Sequence, residues 1–164
     1  MPAPDRAPVT WLALEALRDV LLGVSQENGY YTDLGLGQIV LDDSLLDESE
    51  AAADAPCTFI EARNLDPTTA GKGHANSDME ILIEYVIPRD SDTNLKLAAH
   101  CGAADLVRAL TFKTSGRSGD MPAGFAALEI TGARLGGETD PETNASFVIA
   151  QVTARASVTD RFPA

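Results

Sequence analysis

Positive charge is scarce in this sequence. Lysine and arginine together number 12 against 25 aspartates and glutamates, leaving a formal net charge of -13. Such a surface repels phosphate and anionic lipid, which argues against a nucleic-acid-binding or membrane-surface protein. Cysteine is equally sparse. Cys57 and Cys101 are the whole complement, too few for a disulfide-stapled secreted scaffold, and they read as reduced thiols in a cytosolic product. The opening MPAPDRAP has no apolar core of a secretory signal. No apolar run approaches the ~20 residues that span a bilayer. Aromatic residues make up 5% of the chain.

What is present is an ordinary globular composition, 45% hydrophobic. The length of 164 residues fits one domain, 1–164, in which 1–8 form a loose Pro- and Ala-rich lead-in. From Thr10, a plausible N-cap, apolar residues recur every three or four positions (Trp11, Leu14, Leu17, Leu21, Val24), which predicts a helix over 10–25. Asn28-Gly29 is the expected exit, because both residues tolerate left-handed backbone. A short strand is expected at 38–41. The segment 42–54, DDSLLDESEAAAD, holds six acids and no base and reads as a solvated loop or short surface helix. A second strand is expected at 56–63, then a polar connection, LDPTTAGKGHANS. The strongest strand signal is DMEILIEYVIP, with Met79, Ile81, Ile83, Tyr85 and Ile87 alternating onto one face. A helix over 92–111, entered at Ser91 or Asp92, carries Leu95, Ala99, Gly102, Leu106 and Leu110 in a stripe, and its small residues predict close approach to a sheet. A loop over 112–122, a strand near 125–135, a turn and a long final strand with Val148, Ala150, Val152, Ala154, Ala156 and Val158 on one face complete the chain. The expected fold class is α+β: a mainly antiparallel sheet of about five strands with two helices on one face.

Chemical motifs fail one by one. Gly71-Lys72 suggests a phosphate loop, but that pattern needs glycine at Asp66 and serine or threonine at Gly73. His100 and Cys101 are neighbours on a predicted helix and so point about 100° apart. His74 and Cys57 have no metal-ligand spacing, and a free cysteine near an apolar stripe reads as a small core residue. Asn144-Ala145-Ser146 fits a glycosylation acceptor without a route to a secretory compartment. No enzyme, cofactor or metal is expected. Two features remain. Leu82 and Val86, and likewise Phe147 and Ile149, put apolar groups on the face opposite each strand's main row, so either loops or another subunit cover them. Tyr30 and Tyr31, two of the three tyrosines, sit together in the turn QENGYYTDLG.

An amphipathic helix followed by NGYYTDLG and a short strand, then MEILIEYVIPRD, NLKLAAHCGAADLVRAL and two closing strands, resembles tailed-phage tail terminator proteins and related neck or tail-completion proteins. The acidic segment 42–54 has no match in that pattern. The resemblance implies a virion protein assembled in the host cytoplasm: a hexameric ring at the head-proximal end of the tail tube. Its implied partners are further copies of itself, the tube protein and the head completion or connector protein. DNA passes through without specific binding. Tyr30 and Tyr31 then buttress the helix exit against the first strand, or one of them lies at the ring interface, where tyrosine is enriched. Phe147 and Ile149 are the expected lateral contacts, and Lys113 and Arg117 the expected end surface. Asp42, Asp43, Asp47, Glu48, Glu50 and Asp54 are candidate channel-lining acids. Another head–tail joining or minor tail protein of similar fold, and a small-molecule-binding or enzymatic α+β domain, are the alternatives.

Overall fold

The computed structural model describes residues 7–41, 55–88, 94–113, 121–139 and 146–162. Helix α1 spans Val9–Leu22, and a 3-10 turn spans Leu34–Leu36. Strands β1 Gln38–Leu41, β2 Cys57–Gly71 and β3 His74–Pro88 follow, then helix α2 Leu95–Lys113 and strands β4 Phe125–Thr139 and β5 Ser146–Arg161. The strands form one sheet in the order β1-β2-β3-β5-β4. Only β1 and β2 run parallel; every other pair is antiparallel. The expected α+β class is what the chain adopts.

The alternation read from DMEILIEYVIP sets the core. Met79, Ile81, Ile83, Tyr85 and Ile87 are all buried, and Ala150, Val152, Ala154 and Ala156 lie beside them across the β3–β5 register. Both helices pack on this face: Leu14, Leu17 and Leu21 of α1 and Leu106, Ala109 and Leu110 of α2 join the same cluster. The alanine row on β5 leaves room for α2 to come down onto the sheet. Gly102 marks the nearest approach, for a Cβ there would stand 2.5 Å from Cδ1 of Tyr85. The propensity that glycine costs the helix, about 1 kcal/mol, goes with that contact.

Several boundaries differ from expectation. Helix α1 begins after Pro8, whose carbonyl accepts from the amides of Trp11 and Leu12 at 3.1 Å; Thr10 lies inside the helix, and no side chain caps it. Proline's fixed φ already suits the entry. Trp11 sits at the flank of the stripe and is exposed, its indole donating to Glu15 Oε1 at 3.1 Å, while Val9 and Ala13 are buried instead. The helix ends at Leu22, before Asn28-Gly29; Gly29 does take a positive φ of 83°, but in the following turn. Helix α2 is entered through Asn94, whose Oδ1 accepts from the Leu97 amide at 3.2 Å; Ser91 and Asp92 lie outside the described residues. It runs on through Lys113 into the segment expected as a loop.

The largest difference is the polar stretch after residue 63. It is not a connection but the far half of a β2–β3 ribbon, which reverses at Lys72-Gly73 with Gly71 opposite His74. Residues 63–71 are exposed throughout, so they carry no hydrophobic alternation. Polar pairs hold this half instead: Asn76 Nδ2 donates to Thr69 Oγ1 at 2.6 Å, Thr159 Oγ1 to Asn76 Oδ1 at 2.7 Å, and Ser157 Oγ to Asp78 Oδ1 at 3.0 Å. Strands β4 and β5 likewise extend beyond their expected ends, to Thr139 and Arg161.

Candidate assembly surfaces

The tyrosine turn is fastened to α2. Asp105 is fully buried on the sheet-facing side of α2. Its Oδ1 accepts from the Tyr31 amide at 3.0 Å, and its Oδ2 accepts from both the amide and the hydroxyl of Thr32 at 2.7 Å. One turn further along, Arg108 donates to the Gly29 carbonyl at 2.6 Å, and its guanidinium lies 4.5 Å from the centre of the Tyr30 ring. Two charged side chains of one helix thus hold four successive residues, 29–32. Within the turn, the Gln26 amide donates to Asp33 Oδ1 at 2.8 Å and Asn28 Nδ2 to the Gly23 carbonyl at 2.9 Å. A carboxylate taken out of water is tolerated when donors surround it, and here three do.

This arrangement separates the two tyrosines. Tyr30 is half-buried against the core and under Arg108. Tyr31 is 68% exposed, its backbone held but its ring in solvent. Neither Asp105 nor Arg108 is among the residues expected from the sequence. A signal for Asp105 existed: it stands three residues after Gly102 and four before Ala109, on the apolar side of the helix, where an unpaired acid is costly.

On the sheet face away from the helices, Cys57, Leu82 and Val86 are buried within a single chain. Leu82 and Val86 therefore need no second subunit to cover them. Phe147 and Ile149 are half-buried on the same face, opposite Pro88 and Val86 of β3. Between these apolar groups Gln151 Nε2 donates to Glu84 Oε1 at 2.9 Å. Lys113 closes α2 at the end nearer the 112–122 segment. Arg117, and all of Asp42, Asp43, Asp47, Glu48, Glu50 and Asp54, lie outside the described residues.

Burial raises the Cys57 thiol above its ordinary range, against a smaller opposing effect of a hydrogen bond with the Thr58 backbone, so it stays protonated at neutral pH. Cys101 is half-buried on α2, next to an exposed His100. Burial raises the Tyr85 phenol, and Asp105 and Asp33 add to the rise. Among the described residues no group of three His, Cys, Asp or Glu side chains converges as a metal site would require. No described helix is long and apolar enough to cross a membrane.

No family model matches the chain, and neither does any curated protein. Among solved structures, it is similar in fold to a chain of the virion of a native gene transfer agent (GTA) particle. That likeness has a TM-score of 0.51 at 15% sequence identity, covering 91% of this chain and 97% of the other.

Proposed function

We propose that this chain is a structural subunit of a phage-like virion, and within it a tail terminator: a ring at the head-proximal end of the tail tube that stops tube growth and offers a joining surface to the head. The observation that carries the reading is the fold shared with a chain of a gene transfer agent virion over nearly the full length of both. The order of motifs noted in the sequence supports the finer assignment. A terminator needs lateral contacts between its own subunits and separate surfaces on its two ends. The lateral contacts run head-to-tail and close only if the rotation per subunit closes. Phe147 and Ile149, partly open on the helix-free face, are the lateral contacts in this reading. The 112–122 segment with Lys113 and Arg117 belongs to an end surface. The acids at 42–54 line the bore, where like charge keeps the passing duplex from adhering.

Particles assembled without the chain test the role directly. Tubes longer than normal that fail to join heads are the expected result; tubes of normal length joined to heads would refute it. Replacing both Phe147 and Ile149 with aspartate is expected to give folded subunits that no longer close a ring, read by electron microscopy of the purified protein.

A further inference from the structure

Among the described residues, the sheet has one long edge that nothing pairs with. Strand β4 pairs only with β5 among the described residues, so its outer side presents backbone donors and acceptors along Phe125–Thr139. Exposed edges are commonly guarded by proline or lysine. β2 carries Pro67, whereas β4 contains neither residue type. What such an edge takes is another strand.

We infer that the strand it takes is β4 of a second copy, paired antiparallel about a two-fold axis next to Thr131. The central part of β4 is self-complementary in pattern. The register to β5 slips between Ile130 and Gly132, which makes Thr131 an extra residue and reverses the alternation on either side of it. Positions equally far from this bulge therefore share a face. Ile130 and Ala133, and likewise Leu128 and Leu135, lie on the helix side, level with Ala154, Val152, Ala156 and Ala150; Glu129 and Arg134 lie on the open side, level with Arg155 and Gln151.

A two-fold pairing that sets Thr131 against the partner's Gly132 consequently sets each like with like. Leu128 meets the partner's Leu135, and Ile130 the partner's Ala133, all on the helix side. Glu129 meets the partner's Arg134 on the open side, and the symmetry repeats each pair. The identical bulges oppose each other and cancel, so neither strand loses register. Glu129 and Arg134 are exposed in the single chain, and Leu135 is 39% exposed. Beyond these pairs Ala127 meets the partner's Gly136, which offers no side-chain obstruction; a second slip, between Phe125 and Ala127, has no counterpart at the other end of β4, so the matched pairing stops there. The contact is isologous and closes at two copies. It uses none of the residues assigned above to the ring, so it describes a state of the free subunit and does not rest on the tail reading.

Charge exchange tests both the contact and its register. The full chain is expected to show a concentration-dependent monomer–dimer equilibrium in sedimentation velocity. Glu129→Arg and Arg134→Glu each place like charges opposite one another twice and are expected to raise the dimer dissociation constant at least about ten-fold. The double variant restores opposite pairs and is expected to return to within about three-fold of the parent. Both changes are at exposed positions, and circular dichroism checks that each of the three variants is folded. A chain that stays monomeric, a larger oligomer indifferent to all three variants, or a double variant as weak as the singles would each overturn the inference. A dimer that behaves as expected, in a chain whose loss leaves tube length normal, would refute the tail role and leave this contact standing.

Discussion

Asp105 shows what one misplaced-looking residue can hold. An acid at the centre of an apolar helix face should be destabilising, yet its three short bonds make it the tie between the tyrosine turn and α2. Asp105→Ala leaves the Tyr31 and Thr32 amides without that acceptor. The expected loss is about 2–4 kcal/mol in urea unfolding, since hydrogen bonds to charged groups contribute more than neutral ones. Thr58 is the opposite case. It is fully buried opposite Tyr85, and its hydroxyl has no partner among the described residues. Thr58→Val keeps the branched shape and removes the orphaned group, so a gain of about 1 kcal/mol is expected. That Asp105 needs partners is legible from its place on the apolar side of α2; which partners it takes is not, and nothing local marks Thr58. The partners of Asp105 lie 73 and 74 positions away, and no local pattern reports what a distant turn needs.

At the scale of elements, legibility followed burial. Strand β1 matches its expected bounds, and the apolar rows of β3 and β5 both face the helices. There, alternation and burial are one signal. The same link makes Ile83, fully buried between both helices and the sheet, a sensitive position. Ile83→Ala is expected to cost about 2–5 kcal/mol in unfolding free energy, and a change under about half a kilocalorie would place it outside the core. The far half of the β2–β3 ribbon was illegible for the converse reason. Its side chains face water on both sides, Pro67, Gly71 and Gly73 resemble turn residues, and its pairing rests on backbone and polar contacts that leave no hydrophobic period. The entry to α1 was misplaced at Thr10 because a hydroxyl looks like a cap, whereas the proline before it already supplied the geometry. Of the candidate contact residues, Tyr30 and Tyr31 were found as a pair, but which one faces solvent is decided by Arg108, on another helix.

For the whole molecule the dominant quantity is the net charge of -13. Among the described residues the ion pairs Arg18–Asp19 and Arg63–Glu61 are exposed, at 3.6 and 3.9 Å, and such pairs offer little attraction to set against that excess. Self-repulsion should therefore oppose folding, and salt should relieve it. Raising ionic strength from about 0.01 M to about 0.15 M shortens the screening length from roughly 30 Å to roughly 8 Å. The thermal midpoint is expected to rise over that range, and a fall would show that attractive pairs prevail. The strand order carries a consequence in time. Strand β5 is made after β4 but lies between β4 and β3. While a ribosome is still extending the chain, β4 has no neighbour to join, and the seam of Ala150, Val152, Ala154 and Ala156 that both halves need does not yet exist. The β3–β5 pairing joins segments far apart in sequence and is slow to form, and until β5 is made β4 has no strand beside it among the described residues. The sheet can close only when β5 arrives, so no nascent subunit can offer a finished surface to a neighbour. Assembly is thereby deferred until synthesis has passed the middle of the sheet.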